Sequence, residues 1–296
     1  MSIEFENILN FRDVGKTIND YLGKRLVREG VLYRSARPDD ATPGDRSRLI
    51  DELGIKTVLD LRTKTEHLKQ AEKRKADIKI PALLQSNAAL AEPVKIPGLE
   101  YREIRVTGSR FERAMLKQLS CWNLIKLICL FIIGRRISAI RIMSREVMVP
   151  LGLVGLSLVT LDTSKPEIAE ALRTLLPPPT STPNTPSPTP LLVHCTQGKD
   201  RTGMIIALLL LALSVPPTAI THDYLLSQSG LKPEKESRLA EIEEIGLTPE
   251  WGDCPEELIP MMCSHIDERY GGIDGYLDAI GFAGEERRRL VDVLGA

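Results

Sequence analysis

The sequence lacks most of what marks a secreted, metal-dependent or nucleic-acid-binding protein. Its five cysteines (Cys121, Cys129, Cys195, Cys254, Cys263) are odd in number, and their spacings form no disulfide or zinc framework. The four histidines, His67, His194, His222 and His265, are scattered, so neither a metal site nor another cofactor is expected. The formal net charge is only -1, which gives no global reason to expect nucleic acid. The N-terminal "MSIEFENILNFRDVG" has no apolar signal core. The uninterrupted apolar run Leu127–Ile133 falls far short of the roughly 18 to 20 residues that cross a bilayer. These absences predict a reducing, cytoplasmic setting.

What is present is 296 residues at 43% hydrophobic content, enough for one large core. The charge is unevenly spread: residues 101–149 hold 10 Lys/Arg against 3 Asp/Glu, and residues 223–296 hold 17 Asp/Glu against 7 Lys/Arg. Two solvated helical faces of opposite sign would explain this. So would a basic stretch facing an anionic substrate, or making peripheral contact with a membrane.

Along the chain, "RLVREGVLYRS" alternates as a strand does. "TPGDRSRLIDELG" reads as a helix with Thr42 as N-cap, Pro43 at N1 and Gly54 as its stop. "IKTVLDL" is a short buried strand, "TKTEHLKQAEKRKA" an exposed helix and "LEYREIRV" another strand. This alternation predicts an α/β layer fold. Residues 111–161 read as a helical insertion or lid, whose apolar segment "LSCWNLIKLICLFIIG" is broken by Lys126. It is either a buried helix or an interfacial one flanked by Arg135 and Arg136. "SKPEIAEALRTLL" carries a capping box from Ser164 to Glu167. "PPPTSTPNTPSPTP", residues 177–190, can form no core and is expected to be a disordered loop inside a single domain of residues 1–296. From 201 onward the chain reads as helices.

The densest chemistry is "LLVHCTQGKDRTG", residues 191–203. A strand ending at His194 and a helix starting near Arg201 would aim the loop's N–H groups at one point, with the helix dipole behind them. Gly198 lets the chain bend inward, and Arg201 offers a planar fork for two phosphate oxygens. The same positive field favours Cys195 as thiolate, set for in-line attack on phosphorus. Thr202 can donate to that sulfur when it leaves. A structural cysteine beside a helix cap would not explain Gly198, Lys199, Asp200 and Arg201 together. A nucleotide-binding loop, G-x-x-x-x-G-K-[ST], fails because Val193 and Asp200 stand where it needs glycine and a hydroxyl.

This loop resembles that of the cysteine-dependent protein tyrosine phosphatase superfamily. "HCTQGKDRTG" is similar to a tyrosine phosphatase-like branch with members acting on phosphoproteins and phosphoinositides. "NFRDVG", "LVREGVLYRSA", "GIKTVLDLRTKTE" and "YGGIDGYL" agree with it. The resemblance implies one α/β domain: a central, mainly parallel sheet flanked by helices, with the cysteine loop at the carboxyl end of a central strand. It implies Asp200 as general acid and base; the alternatives are that Asp200 only orients Arg201 or caps the helix, with Asp162 as acid from a separate loop. Asp60 is expected at the same sheet edge, either orienting the site or pairing with Arg62. Lys199 is either an extra cation for the substrate, as in lipid phosphatases, or solvated, and His194 supports the thiolate from behind.

The reading is a metal-independent phosphomonoesterase with Cys195, Arg201 and Asp200 as catalytic residues. Thr196, Gln197, Gly198, Lys199, Thr202 and Gly203 form the phosphate cradle. Its substrate would be a phosphorylated protein or a phosphoinositide. Rivals are a catalytically silent phosphate-binding adaptor, which keeping all three catalytic residues argues against, and a redox-sensing thiol protein, which no C-x-x-C pair supports. Oligomeric state is not legible.

Overall fold

The computed structural model of the chain describes residues 4–77, 95–176, 189–282 and 284–296. It opens with strand β1 (Arg12–Asp13), helix α1 (Val14–Leu22), β2 (Leu32–Ser35), α2 (Pro43–Ser47), β3 (Thr57–Asp60), α3 (Lys64–Asp77) and β4 (Glu100–Glu103). Four helices then follow without a strand: α4 (Ser109–Leu116), α5 (Cys121–Ile132), α6 (Arg136–Met143) and α7 (Val149–Thr163). After α8 (Lys165–Arg173) come β5 (Leu191–His194) and α9 (Asp200–Ala212). The rest is helical: α10 (Pro217–Gly230), α11 (Lys235–Glu244), α12 (Leu258–Tyr270), α13 (Ile273–Ala279) and α14 (Gly284–Leu294).

The strands form one sheet in the order β1-β2-β5-β3-β4, parallel except for β1. This is the mainly parallel α/β arrangement that the sequence predicts. β5 is central because "LLVH" is buried throughout and can be covered on both faces. Register sets His194 beside Ser35 of β2 on one side and Asp60 of β3 on the other. The chain then leaves β5 at its carboxyl end, crosses to α9, and α9 returns through the core. Met204 to Leu210 are all buried, as an all-apolar helix requires.

Local signals act where they were read, with two differences. Thr42 caps α2 in a full capping box with Asp45. Gly54, at φ +66, ends the π-helical turn that follows. "RLVREGVLYRS" is strand only over Leu32–Ser35, because the chain turns at Gly30 (φ +75). The capping box at Ser164 does not form: Ser164 also ends α7, its hydroxyl is buried without a partner, and Glu167 bonds Arg110 at 2.6 Å. Of the proline-rich stretch, residues 177–188 lie outside the described residues.

Counting uninterrupted apolar runs passes over the helical stretch Arg136–Thr163, which has the length and composition to cross a membrane. Here it is broken at Gly152 (φ 64, ψ 179), and α7 packs on α4, α9 and α12. The α5–α6 hairpin is different. Trp122 (64% exposed), Ile125, Ile132 (78%), Ile133 and Ile137 are exposed and line no cavity described below.

Beneath the sheet edge lies a buried ion triad. Asp223 accepts from Arg12 Nε at 2.7 Å and from Arg34 Nη1 at 2.5 Å, and all three side chains are shielded from solvent. Burial alone would raise the Asp223 carboxyl, but the two guanidinium charges outweigh it and hold it below its ordinary value. Removing one partner strands two buried cations, which typically costs about 3–5 kcal/mol. Asp223→Asn is therefore expected to lower unfolding free energy by about that amount in urea titrations near neutral pH. Because the folded-state carboxyl is depressed, its contribution is complete above the unfolded value near about 4 and fades below it. The gap between wild type and Asp223→Asn should therefore narrow as pH falls through that range. A gap that stays constant would mean Asp223 is not the group that holds the two arginines.

Candidate active site

The five residues from Cys195 to Lys199 join β5 to α9, and every one of their carbonyls is held from outside the turn. The Cys195 carbonyl lies 2.9 Å from His194 Nδ1, which must donate. The Thr196 carbonyl accepts from the Arg37 N–H at 3.1 Å. Asn10 Nδ2 donates to the Gln197 and Gly198 carbonyls at 3.0 and 3.2 Å. Arg34 Nη2 donates to the Gly198 carbonyl at 2.7 Å and to that of Lys199 at 3.4 Å. A trans peptide sets each N–H opposite the preceding C=O. The N–H groups of residues 196 to 200 therefore point to the inside of the turn. The free N–H groups of the first turn of α9 join them. This is an anion cradle built from backbone.

Gly198 is required twice over. Its φ is +63, and a Cβ there would lie 1.9 Å from the Ser35 carbonyl oxygen. Gly203 serves a different purpose from the one its sequence position suggests. Its N–H is already committed to the Lys199 carbonyl at 2.8 Å, so it cannot join the cradle. Its missing side chain instead lets α9 pack on Tyr224 and Arg34, where a Cβ would come within 3.0 and 3.5 Å.

Arg201 is clamped by a residue the sequence reading did not select. Glu66, in the first turn of α3, receives Arg201 Nη1 at 2.7 Å and Nη2 at 2.5 Å, and also the Thr196 hydroxyl. The Leu61 carbonyl takes a further bond from Nη1 at 3.2 Å. Burial would raise the Glu66 carboxyl, but the Arg201 charge and hydrogen bonds hold it well below the usual carboxylate range. Burial would likewise lower Arg201, and Glu66 more than reverses that. Both bridges use the terminal nitrogens, which leaves the Nε edge of the fork for another anion. The clue lay inside "DLRTKTE": an acid in the first turn of a helix that starts at the active edge of the sheet.

Cys195 is buried, at 2% exposure, and Thr202 Oγ1 is buried without a hydrogen-bond partner, so its donor is uncommitted. Asp200 is partly exposed, and its Oδ1 makes no hydrogen bond. Asp162 is engaged elsewhere: it meets His265 at 3.0 Å, the Tyr270 hydroxyl at 2.6 Å and Arg269 at 3.0 Å.

Of three other residues, Lys199 departs from both of its sequence readings, while Asp60 takes one of its two. The Lys199 ammonium is neither solvated nor turned to a substrate. It is fully buried and donates to the carbonyls of Asp253 (2.6 Å) and Trp251 (3.3 Å), with Asp200 at 3.4 Å. The loop at 251–253 offers bare carbonyls that a cation satisfies. Asp60 pairs with Arg62, which it meets at 3.0 and 2.8 Å, while Arg62 also grips Asp39 at 2.6 and 3.0 Å. Burial would raise Asp60, yet the neighbouring His194 and these Arg62 contacts bring it down to about 2. His194 lies 3.7 Å from Asp60. Burial pushes its imidazole below the ordinary value, against the pull of Asp60. His194 supports the loop through the Cys195 carbonyl.

Above the cradle lies a cavity of about 720 Å³. Gln197, Asp200, Arg201 and Glu66 form its polar end, and side chains from α4 to α7 and from the 242–251 segment form the rest.

The profile of the tyrosine phosphatase family matches residues 3–129 and 143–295. The chain belongs to the tyrosine phosphatase family. A tyrosine-protein phosphatase of Nostoc commune is 32% identical over 114 residues, 36% of this chain and 39% of that protein. A triple-specificity protein phosphatase of Mycobacterium tuberculosis is 31% identical over 121 residues, 36% of this chain and 44% of its own length. The chain thus aligns with less than half the length of either. A protein of Cupriavidus necator is 26% identical over 285 residues, 93% of this chain and 82% of that one. The family match leaves out residues 130–142, the tip of the α5–α6 hairpin.

If Glu66 sets the Arg201 fork, Glu66→Gln should slow turnover of a small aryl phosphate. A hydrogen bond to a charged group is worth about 1.5–3 kcal/mol, or roughly 10- to 100-fold. The depressed carboxyl is ionised throughout the working range, so the loss should be constant between about pH 5 and 8. An undiminished rate would mean that Arg201 needs no such clamp.

Proposed function

We propose that this protein is a metal-independent phosphomonoesterase working through a phosphocysteine intermediate. The observation that carries this reading is the outward anchoring of five consecutive carbonyls, which leaves the N–H groups and Arg201 converging beside Cys195. The Cys195 thiolate attacks phosphorus, forming an S–P bond as the P–O ester bond breaks. The ester's electron pair goes to the leaving oxygen, which takes a proton from Asp200. Asp200, now a carboxylate, accepts a proton from water as that water attacks the phosphocysteine. Inorganic phosphate leaves and the thiolate is restored. Arg201 and the N–H groups hold the equatorial oxygens, where charge accumulates in the transition state.

Two observations favour Asp200 over Asp162 as the acid. Asp200 borders the cavity, with its Oδ1 ion-paired to Lys199 at 3.4 Å, and Asp162 is bound by three partners. The two substrates the sequence suggests, a phosphorylated protein and a phosphoinositide, both present a phosphate monoester, and the wall supports a lone phosphate over a multiply phosphorylated head group. Arg201 is the single cation among the described residues that line the cavity, alongside Glu66, Glu112 and Asp200.

Peripheral membrane contact is part of this proposal. The outward apolar face of α5–α6 lies among Lys126, Arg135, Arg136 and Arg141, the composition of a surface that sits on anionic lipid. The free cysteines, two of them exposed on α5, suit a reducing compartment.

Cys195→Ser should abolish turnover yet still bind phosphate, because the cradle and Arg201 remain. Asp200→Asn should cost about 10²- to 10⁴-fold on substrates with poor leaving groups and much less on an activated aryl phosphate. Equal losses on both would remove Asp200 as the acid. EDTA should leave the rate unchanged. On anionic vesicles the Trp122 emission should shift to the blue and the protein should co-sediment. Ile132→Glu with Ile133→Glu should abolish both effects, and neutral vesicles should bind weakly. Equal behaviour of wild type and variant would exclude the hairpin as the contact.

A further inference from the structure

The geometry points to a chain-binding subsite: the cavity above Arg201 holds the apolar tail of a long-chain phosphate monoester, such as an alkyl or isoprenyl monophosphate. This rests on the phosphomonoesterase reading and names its substrate class.

The cavity is continuous with the cradle, since Gln197, Asp200 and Arg201 belong to its wall. Its volume of about 720 Å³ falls within the roughly 300–1,000 Å³ range that encloses a whole small ligand, far more than a phosphate needs. The rest of the wall is mainly apolar, with Met115, Leu127, Met143, Met148, Leu153 and Leu156 among its residues, and Glu112, Ser157 and Thr160 are its polar exceptions. Methionine adapts its shape to a flexible guest. A sugar or inositol ring placed here would lose its hydrogen bonds to water and find few replacements, which is unfavourable. An alkyl chain loses nothing and gains from leaving water. One cation at the end of the cavity matches one phosphate at the end of one chain.

Phe131, Ala139 and Ile140 complete the wall, and all three lie in the stretch 130–142 that the family match leaves out. The subsite is therefore built partly by this chain's own hairpin. The outer face of that hairpin is the apolar surface proposed above to meet lipid, so a chain could pass from a membrane to the cavity along one element.

The test measures phosphate release from butyl, hexyl, octyl and decyl monophosphates, each kept below the concentration at which it aggregates, with p-nitrophenyl phosphate alongside. In the wild-type enzyme kcat/KM should climb with chain length by about three- to fourfold per methylene, then level off once the cavity is full. In Ala139→Phe and Ser157→Phe, which narrow the cavity, the climb should stop at a shorter chain. A flat series from an enzyme that turns over p-nitrophenyl phosphate overturns the chain subsite and leaves the phosphatase reading intact. A flat series combined with faster turnover of a phosphotyrosine peptide carrying neighbouring leucines assigns the cavity to a peptide side chain instead, and overturns the proposal. No turnover of any of these esters defeats the phosphomonoesterase reading itself, and the subsite with it.

Discussion

Five carbonyls that cannot turn inward are the constraint on which this structure depends. A turn of Cys-Thr-Gln-Gly-Lys free in solution would point its peptide groups in every direction, and the carbonyls facing an anion would repel it. Here each carbonyl has a donor on the far side, and the strongest of these donors are themselves fixed. Arg34 is held by Asp223, Asp223 by Arg12, and Arg12 Nη1 bonds the Asn10 side-chain oxygen at 2.6 Å. Asn10 in turn holds two loop carbonyls while sitting at φ +57, a conformation asparagine tolerates better than most residues. The cradle is preorganised because these charges are already desolvated in the folded chain. An anion entering it meets dipoles that need not reorganise.

The same principle extends to Arg201 and Lys199, two cations separated by a single residue that are used in opposite ways. Arg201 is gripped by Glu66 on its terminal nitrogens and keeps an edge for the substrate. Lys199, two residues earlier, points the other way and ties the loop to the 251–253 segment. A lysine has three donors on one compact charge and suits a cluster of carbonyls, while the planar fork of arginine suits two anions at once. Among the described lining residues Arg201 is then the one cation, and in the proposed function it meets one phosphate.

The helices from 109 to 163 give that phosphate site its surroundings. Their inner faces supply an apolar wall, and the outer face of α5–α6 is left uncovered. A helix apolar on both faces is stable when one face packs on protein and the other meets a lipid surface. Lys126, Arg135 and Arg136 interrupt the run at its rim, which suits lying on a surface more than crossing it.

Sequence alone displayed the residues of the proposed chemistry: Cys195, Asp200, Arg201 and the sharp turn at Gly198 are local in the chain, and local spacing is what a sequence shows. It also determined the α/β class, because short strands such as "LLVH" and "TVLD", apolar but for their ends, alternate with helical stretches, and "MIIALLLLALSV" reads as a buried helix. Tertiary structure alone decided which polar residues serve the loop. Asn10, Arg34 and Glu66 lie 188, 164 and 135 positions from their partners, and the sequence carries no distance between them. It also decided that Ser164 makes no capping box, because α7 runs directly into α8 there. Lys199 shows the reason most plainly. Its neighbours in sequence suggest a substrate cation, but side-chain direction depends on which carbonyls lie unsatisfied nearby, and those belong to a loop some fifty residues away.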